Sequence, residues 1–145
     1  MFIDPRGARF AAWITTIVLI AVLVTGSGLL LAGQAAVFAV GALAGMRWSP
    51  YGLIFRYLLA PRLGRPAELE PAAPPRFAQA VGLLFAVVGA VGYLTGVTVL
   101  GAAAAAAALA AAFLNAAFGF CLGCELYLIL RRALPANHTT KGVTA

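Results

Sequence analysis

Charge is what this sequence has least of. Its 145 residues include four acidic side chains, ten lysines or arginines and one histidine. Globular domains run at about 25% charged and about 45–50% apolar; here the figures are 10% and 63%. Such a chain cannot clothe a water-facing surface, which excludes a soluble enzyme and a disordered tail. Two cysteines are too few for a disulfide-stapled secreted module. The net charge of +6 comes from scattered clusters that each abut an apolar run. Those are topology signals, and no nucleic-acid partner is expected.

What is present is hydrophobic length. One apolar stretch runs from Phe10 to Met46 and a second from Phe77 to about Leu130. A helix needs ~20 residues to cross ~30 Å of hydrocarbon, so each stretch suits two spans. Gly26-Ser27-Gly28 marks a turn in the first, and Thr95-Gly96 to Gly101 a looser one in the second. The predicted fold is all-α: a four-helix transmembrane bundle of two hairpins, with spans at 10–26, 29–46, 77–95 and 101–120. Closed helices satisfy their own backbone in lipid, and the alternation of a membrane barrel is missing.

Arg6 and Arg9 precede the first predicted span. Arg47, Arg56, Arg62, Arg65 and Arg76 lie between the second and third, and Arg131, Arg132 and Lys141 follow the fourth. The positive-inside rule then puts both termini and the central loop in the cytoplasm. A cleaved signal peptide fits less well, because further spans follow a long apolar core. Leu31-Ala32-Gly33-Gln34 has glutamine where a lipoprotein box needs cysteine.

The halves echo each other. Arg9-Phe10-Ala11 recurs 67 residues later as Arg76-Phe77-Ala78, and Gly45-Met46 recurs 74 residues later as Gly119-Phe120. The second hairpin should therefore carry about two extra helical turns. The offset of 74 sets Cys121 opposite Arg47 and Cys124 opposite Pro50, where proline breaks a helix. Short interfacial helices are predicted at 51–60, with Tyr51, Arg56 and Tyr57 at headgroup level, and at 125–134, followed by a flexible tail 135–145. The rival is one unbroken helix from about 102 to 131.

Cys121-Leu122-Gly123-Cys124-Glu125 is the one cluster of reactive groups. Cysteines three apart can bridge where a helix starts between them, and free N–H groups there lower a thiol pKa. Glu125 opposes that shift but can relay a proton. The same spacing also fits two small buried apolar residues. A structural zinc needs about four ligands, and only His138 and Glu125 are at hand, so no metal is expected. Arg9 and Arg76 are membrane anchors that could also hold an anion beside the thiols. Gln34, Gln79 and Asn115 read as interhelical hydrogen-bonding groups. The alanines 102–108 and the pairs Gly41/Gly45, Gly92/Gly96 and Gly119/Gly123 read as close-packing surfaces. Residues 61–75 form a solvated connection with Glu68 and Glu70, and His138 sits in a polar tail.

Asp4-Pro5-Arg6 with Arg9-Phe10, the Ser49-Pro50-Tyr51-Gly52 turn, Pro74-Pro75-Arg76-Phe77-Ala78-Gln79 and Phe118-Gly119-Phe120-Cys121-Leu122-Gly123-Cys124-Glu125 together resemble an uncharacterised actinobacterial family. Its members are four-span membrane proteins grouped as a domain of unknown function. They are often encoded near thioredoxin-like and sulfurtransferase proteins, so the resemblance implies thiol or sulfur chemistry.

The expected function is thiol–disulfide exchange or sulfur relay with thioredoxin-like or rhodanese-like partners, Cys121 attacking and Cys124 resolving. Onward transfer to a quinone is open. The alternatives are a transporter for a sulfur-containing anion, which would need a homo-oligomer to line a path, and a non-catalytic recruitment scaffold.

Overall fold

Asp4 fixes where the first helix begins. Its carboxylate accepts the Arg6 backbone N–H at 2.9 Å, and Pro5 brings the preset φ of a first helical residue. The computed structural model describes residues 2–45, 48–66 and 69–134. In it α1 spans Pro5–Thr25 and ends at Gly26, whose φ of +66° is left-handed. Ser27 then caps α2 (Gly28–Leu43) by accepting the Leu30 N–H at 3.1 Å.

Ser49 caps α3 (Pro50–Ile54), which widens into a π-helical turn at Phe55–Leu59 and continues as α4 (Ala60–Leu63). Pro61 crowds the carbonyl one turn back, and the wider turn relieves it. The second hairpin comprises α5 (Ala73–Thr95) and α6 (Thr98–Phe118), joined at Gly96 with φ +93°. Gly119 ends α6, and α7 (Leu122–Ala133) follows. The backbone of Phe2–Ile3 pairs antiparallel with Glu70–Pro71, tying the chain start to the central connection. Arg6 reinforces that tie, bonding Asp4 at 2.8 Å and the Gly64 carbonyl at 2.8 Å.

Packing crosses between the hairpins: α2 lies along α5, and α1 along α6. The core joins Leu19 and Val22 to Leu31, Ala35, Phe38, Ala86, Ala90, Ala105 and Ala108. Most of these lie in the half of the bundle nearest the hairpin turns. Helices α5 and α6 touch there through glycine: a Cβ on Gly92 would come within 2.7 Å of the Gly101 backbone nitrogen. Outward faces carry Ile17, Val24, Leu29, Leu84 and Val99 into the surroundings, as expected of a surface solvated by lipid.

Helices α1, α5 and α6 are each long and apolar enough to cross a membrane. Helix α2 is shorter, at 16 residues, about 24 Å. It starts at Gly28 but stops at Leu43, short of the expected 46. Helices α1 and α5 begin at Pro5 and Ala73 rather than 10 and 77, because prolines and caps extend them beyond the apolar core. The turn before α6 is tight, since left-handed Gly96 reverses the chain at once. Gly45, Gly96 and Gly119 have positive φ and no atom near a built Cβ, so they end helices. They are not packing surfaces.

Tyr51 also departs from expectation. It turns inward, its hydroxyl donating to buried Gln34 Oε1 at 2.7 Å. Arg56 lies over the Trp48 and Tyr57 rings at 5.5 and 5.2 Å instead. Arg47, Glu68, His138, Lys141 and the tail 135–145 lie outside the described residues.

Candidate functional site

The last long helix is broken, not continuous to 131. Gly119 takes φ +70°, its amide bonds back to Asn115 O at 2.9 Å, and the chain leaves the axis at Phe120. Two residues on, Cys121 becomes the N-cap of α7: its Sγ accepts the Cys124 backbone N–H at 3.1 Å. Cysteine here takes the place that serine usually holds. Cys121 and Cys124 are joined as a disulfide with their Cα atoms 5.1 Å apart. Both are half-buried.

Gly123 allows the turn to seat. A Cβ there would lie 2.5 Å from Ala78 Cβ and 2.6 Å from Ala78 Cα, so only glycine lets α7 press its first turn against α5. Phe77 and Tyr127 stack farther along the same contact, with centroids 5.6 Å apart. Glu125 is exposed in the first turn of α7, where a carboxylate suits the positive helix end.

Beneath the disulfide the bundle opens into a cleft of about 610 Å³ between α1, α5, α6 and α7. Ala108, Ala111 and Ala112 form one wall, and Phe38, Gly82 and Phe85 another. Thr15, Gln79 and Asn115 supply polar atoms, and Glu70, Cys121, Cys124 and Glu125 border the same space. The alanines were legible only as packing residues. Which of them face inward depends on helix rotation, and the low amphipathicity of α6 hides it. Gln79 and Asn115 were expected to bond between helices. Their side chains make no hydrogen bond among the described residues; only Gln34 does, to Tyr51.

The two candidate anion-binding arginines are occupied. Arg9 Nη2 donates to Ala116 O at 3.0 Å and to Ala117 O at 3.4 Å, closing the end of α6. Arg76 Nη2 donates to Ala42 O at 3.0 Å and Leu43 O at 2.9 Å, closing the end of α2. Each satisfies carbonyls orphaned at a helix C-terminus and meets its negative dipole. Arg9 borders the cleft; Arg76 does not.

A model of the domain of unknown function DUF4395 matches residues 3–132. The chain belongs to the DUF4395 family. No curated protein and no solved structure matches it. The family match takes in every element of the cleft, and it assigns none of them a role. Among the described residues no group of histidine, cysteine and carboxylate side chains is placed to hold a metal ion.

Proposed function

We propose that this DUF4395 chain is a multi-pass protein of a bacterial cytoplasmic membrane whose Cys121–Cys124 pair cycles between disulfide and dithiol. Three spans are α1, α5 and α6; α2 is the fourth, packed along α5 for its length. Both hairpin turns then lie at one end of the bundle, at Gly26–Ser27 and Gly96–Val97. Arg6, Arg9, Arg62, Arg76, Arg131 and Arg132 gather at the other, which the positive-inside rule assigns to the cytoplasm.

The observation that carries the reading is the place of the sulfurs. They sit in a helix-capping turn at the mouth of a cleft, on the basic end of the bundle. In the dithiol form the Cys124 N–H would stabilise a Cys121 thiolate, which makes Cys121 the attacking group. The thiolate attacks a disulfide of a thioredoxin-like partner, and the partner's second sulfur leaves as thiolate. Cys124 then displaces the partner, which departs as a dithiol while the Cys121–Cys124 bond forms. The reverse sequence reduces the pair. A rhodanese-like partner would hand its persulfide sulfur to Cys121 in the same position.

A carrier for sulfur anions is less well supported. Arg9, the basic residue bordering the cleft, is committed to α6, and Glu70 and Glu125 border the same cleft. Two measurements test the redox reading. A membrane-impermeant maleimide should label the reduced pair in opened cells and not in intact ones. Cys124→Ser should accumulate a mixed disulfide with a cytosolic partner, and Cys121→Ser should not. Equal trapping by both variants would defeat the assignment.

A further inference from the structure

We infer that the cleft beside the Cys121–Cys124 pair binds a quinone-class acceptor carried in the bilayer, which takes two electrons from the dithiol. This rests on the thiol–disulfide reading above and names the co-substrate of that same site. Five features of the cleft argue for it. Its volume of about 610 Å³ falls within the roughly 300–1,000 Å³ of small-molecule sites. Its lining is mostly apolar, with alanines of α6 and the side chains of Phe38 and Phe85. Gly82 lets Phe38 lie close, since a Cβ there would meet its ring at 2.9 Å.

The polar groups select among apolar ligands. Gln79 and Asn115 are among the lining residues, and neither side-chain amide makes a hydrogen bond among the described residues; that of Gln79 packs over Gly41 at the edge of the cleft. Amide N–H groups suit carbonyl oxygens. An acyl chain would leave both unpaired. Charge narrows the choice again: the bordering cation is bonded to α6, and two carboxylates lie at the rim. A neutral ligand with acceptor oxygens fits; an anion does not.

Depth is the last feature. The lining runs from Pro5 to Thr15 along α1, about 15 Å into a membrane-spanning helix, a depth that suits a lipid-soluble molecule. The chemistry balances. Two S–H bonds break and one S–S bond forms. Two electrons and two protons pass to the carbonyl oxygens of the quinone, which leaves as hydroquinone.

The test uses the full chain in lipid nanodiscs, reduced and freed of reductant, with a fully substituted short-tailed benzoquinone. One hydroquinone should appear for each pair of thiols lost. Ala112→Phe fills the cleft and should slow this reaction at least about tenfold, the loss expected when a ligand is sterically excluded. Val99→Phe, on the outward face, should leave it unchanged. If Ala112→Phe does not fold, Gln79→Leu and Asn115→Leu serve, each weakening quinone binding by about three- to tenfold. That binding is read by equilibrium dialysis in a Cys121→Ser, Cys124→Ser background. Equal rates in Ala112→Phe and wild type would overturn the inference. So would a pair that exchanges with a glutathione buffer yet yields no hydroquinone, and that result would leave the thiol reading standing. A bridge that no thiol buffer opens would end both.

Discussion

Ser49 and Cys121 hold equivalent places in the two halves of the chain. Ser49 Oγ accepts the Gly52 N–H at 3.1 Å and Cys121 Sγ accepts the Cys124 N–H at 3.1 Å, each starting the helix that follows a hairpin. Arg76 and Arg9 extend the relationship, reaching Ala42 and Leu43 in one half and Ala116 and Ala117 in the other. Each arginine closes the second helix of the opposite hairpin. The halves are thus related by exchange, and one of two similar turns carries the disulfide. In the first half, Tyr51 and Gln34 bond across the interior. Gly123 and Ala108 stand at the corresponding positions of the second half and leave room for the cleft.

The capping role of Cys121 can be separated from the redox role proposed for it. In reducing buffer, Cys121→Ser keeps an acceptor for the Cys124 N–H and should melt close to wild type. Cys121→Ala loses the cap and should cost about 0.5–2 kcal/mol. Both should fail to trap a partner. Thermal unfolding in detergent by circular dichroism, beside the trapping assay, gives the comparison. Equal melting of the two variants would remove Sγ from the account of α7.

Gly123→Ala should unseat α7 from α5. Its Cβ would fall 2.5 Å from Ala78 Cβ and 2.6 Å from backbone Cα, an overpacking that costs about 1–3 kcal/mol. Adding Ala78→Gly removes the first clash and leaves the second, so rescue should be partial. Full rescue would mean that α7 does not press on the α5 backbone.

Much of this was legible in the sequence, for reasons that differ by element. Apolar runs and Gly26 announced the hairpins, since lipid demands length and a reversal demands positive φ. The cysteine turn was legible through the echo, which set Cys124 opposite the helix-breaking Pro50, and through Gly123, which permits a tight approach. The register of the repeat was not. An offset of 74 matches Gly45 to Gly119, yet the caps Ser49 and Cys121 are 72 apart, because the link before α7 is two residues shorter. Cys121 therefore corresponds to Ser49 and not to Arg47. Nor were the arginines legible as helix caps, because their acceptors lie 107 and 34 residues away in sequence.

Arg9 and Arg76 yield a matched pair of expectations. Replacing either with methionine keeps the apolar stem and abandons the carbonyls. Each should lower stability by about 0.5–1.5 kcal/mol, and the double variant should lose the sum within about 0.5 kcal/mol, since the two share no partner. Urea or thermal melts of the three variants measure this. A much larger loss for Arg9→Met alone would point to a role beyond closing α6.

Asp4 should contribute to the acid side of the stability profile. The Arg6 guanidinium hydrogen-bonded to it holds its carboxyl below the ordinary 3.8. A lowered native pKa contributes stability above the unfolded value, and that contribution is lost as pH falls through the native one. Wild type should therefore weaken below pH 3.8. Asp4→Asn keeps an N-cap and lacks this component, so the difference between the two melts should shrink as acid is added. A difference that does not change with pH would show that the Asp4–Arg6 pair adds nothing beyond the cap.

The equivalence of the two turns predicts a second bridge. Ser49→Cys with Gly52→Cys writes a Cys-x-x-Cys turn into the first half, with a cap that already has the geometry in which Cys121 meets Cys124. Built into a Cys121→Ser, Cys124→Ser background, the new pair should oxidise in air, read as loss of two free thiols and a mass two hydrogens lower. Its helix content should stay unchanged, because both sulfurs replace groups at a helix start. Quinone-dependent oxidation should be far slower than for the native pair, since Tyr51 and Gln34 occupy the interior beside this turn. Failure to oxidise would mean that the shared 3.1 Å caps do not carry the rest of the turn geometry. Fast oxidation by quinone would mean that the cleft beneath Cys121 is not what selects the acceptor.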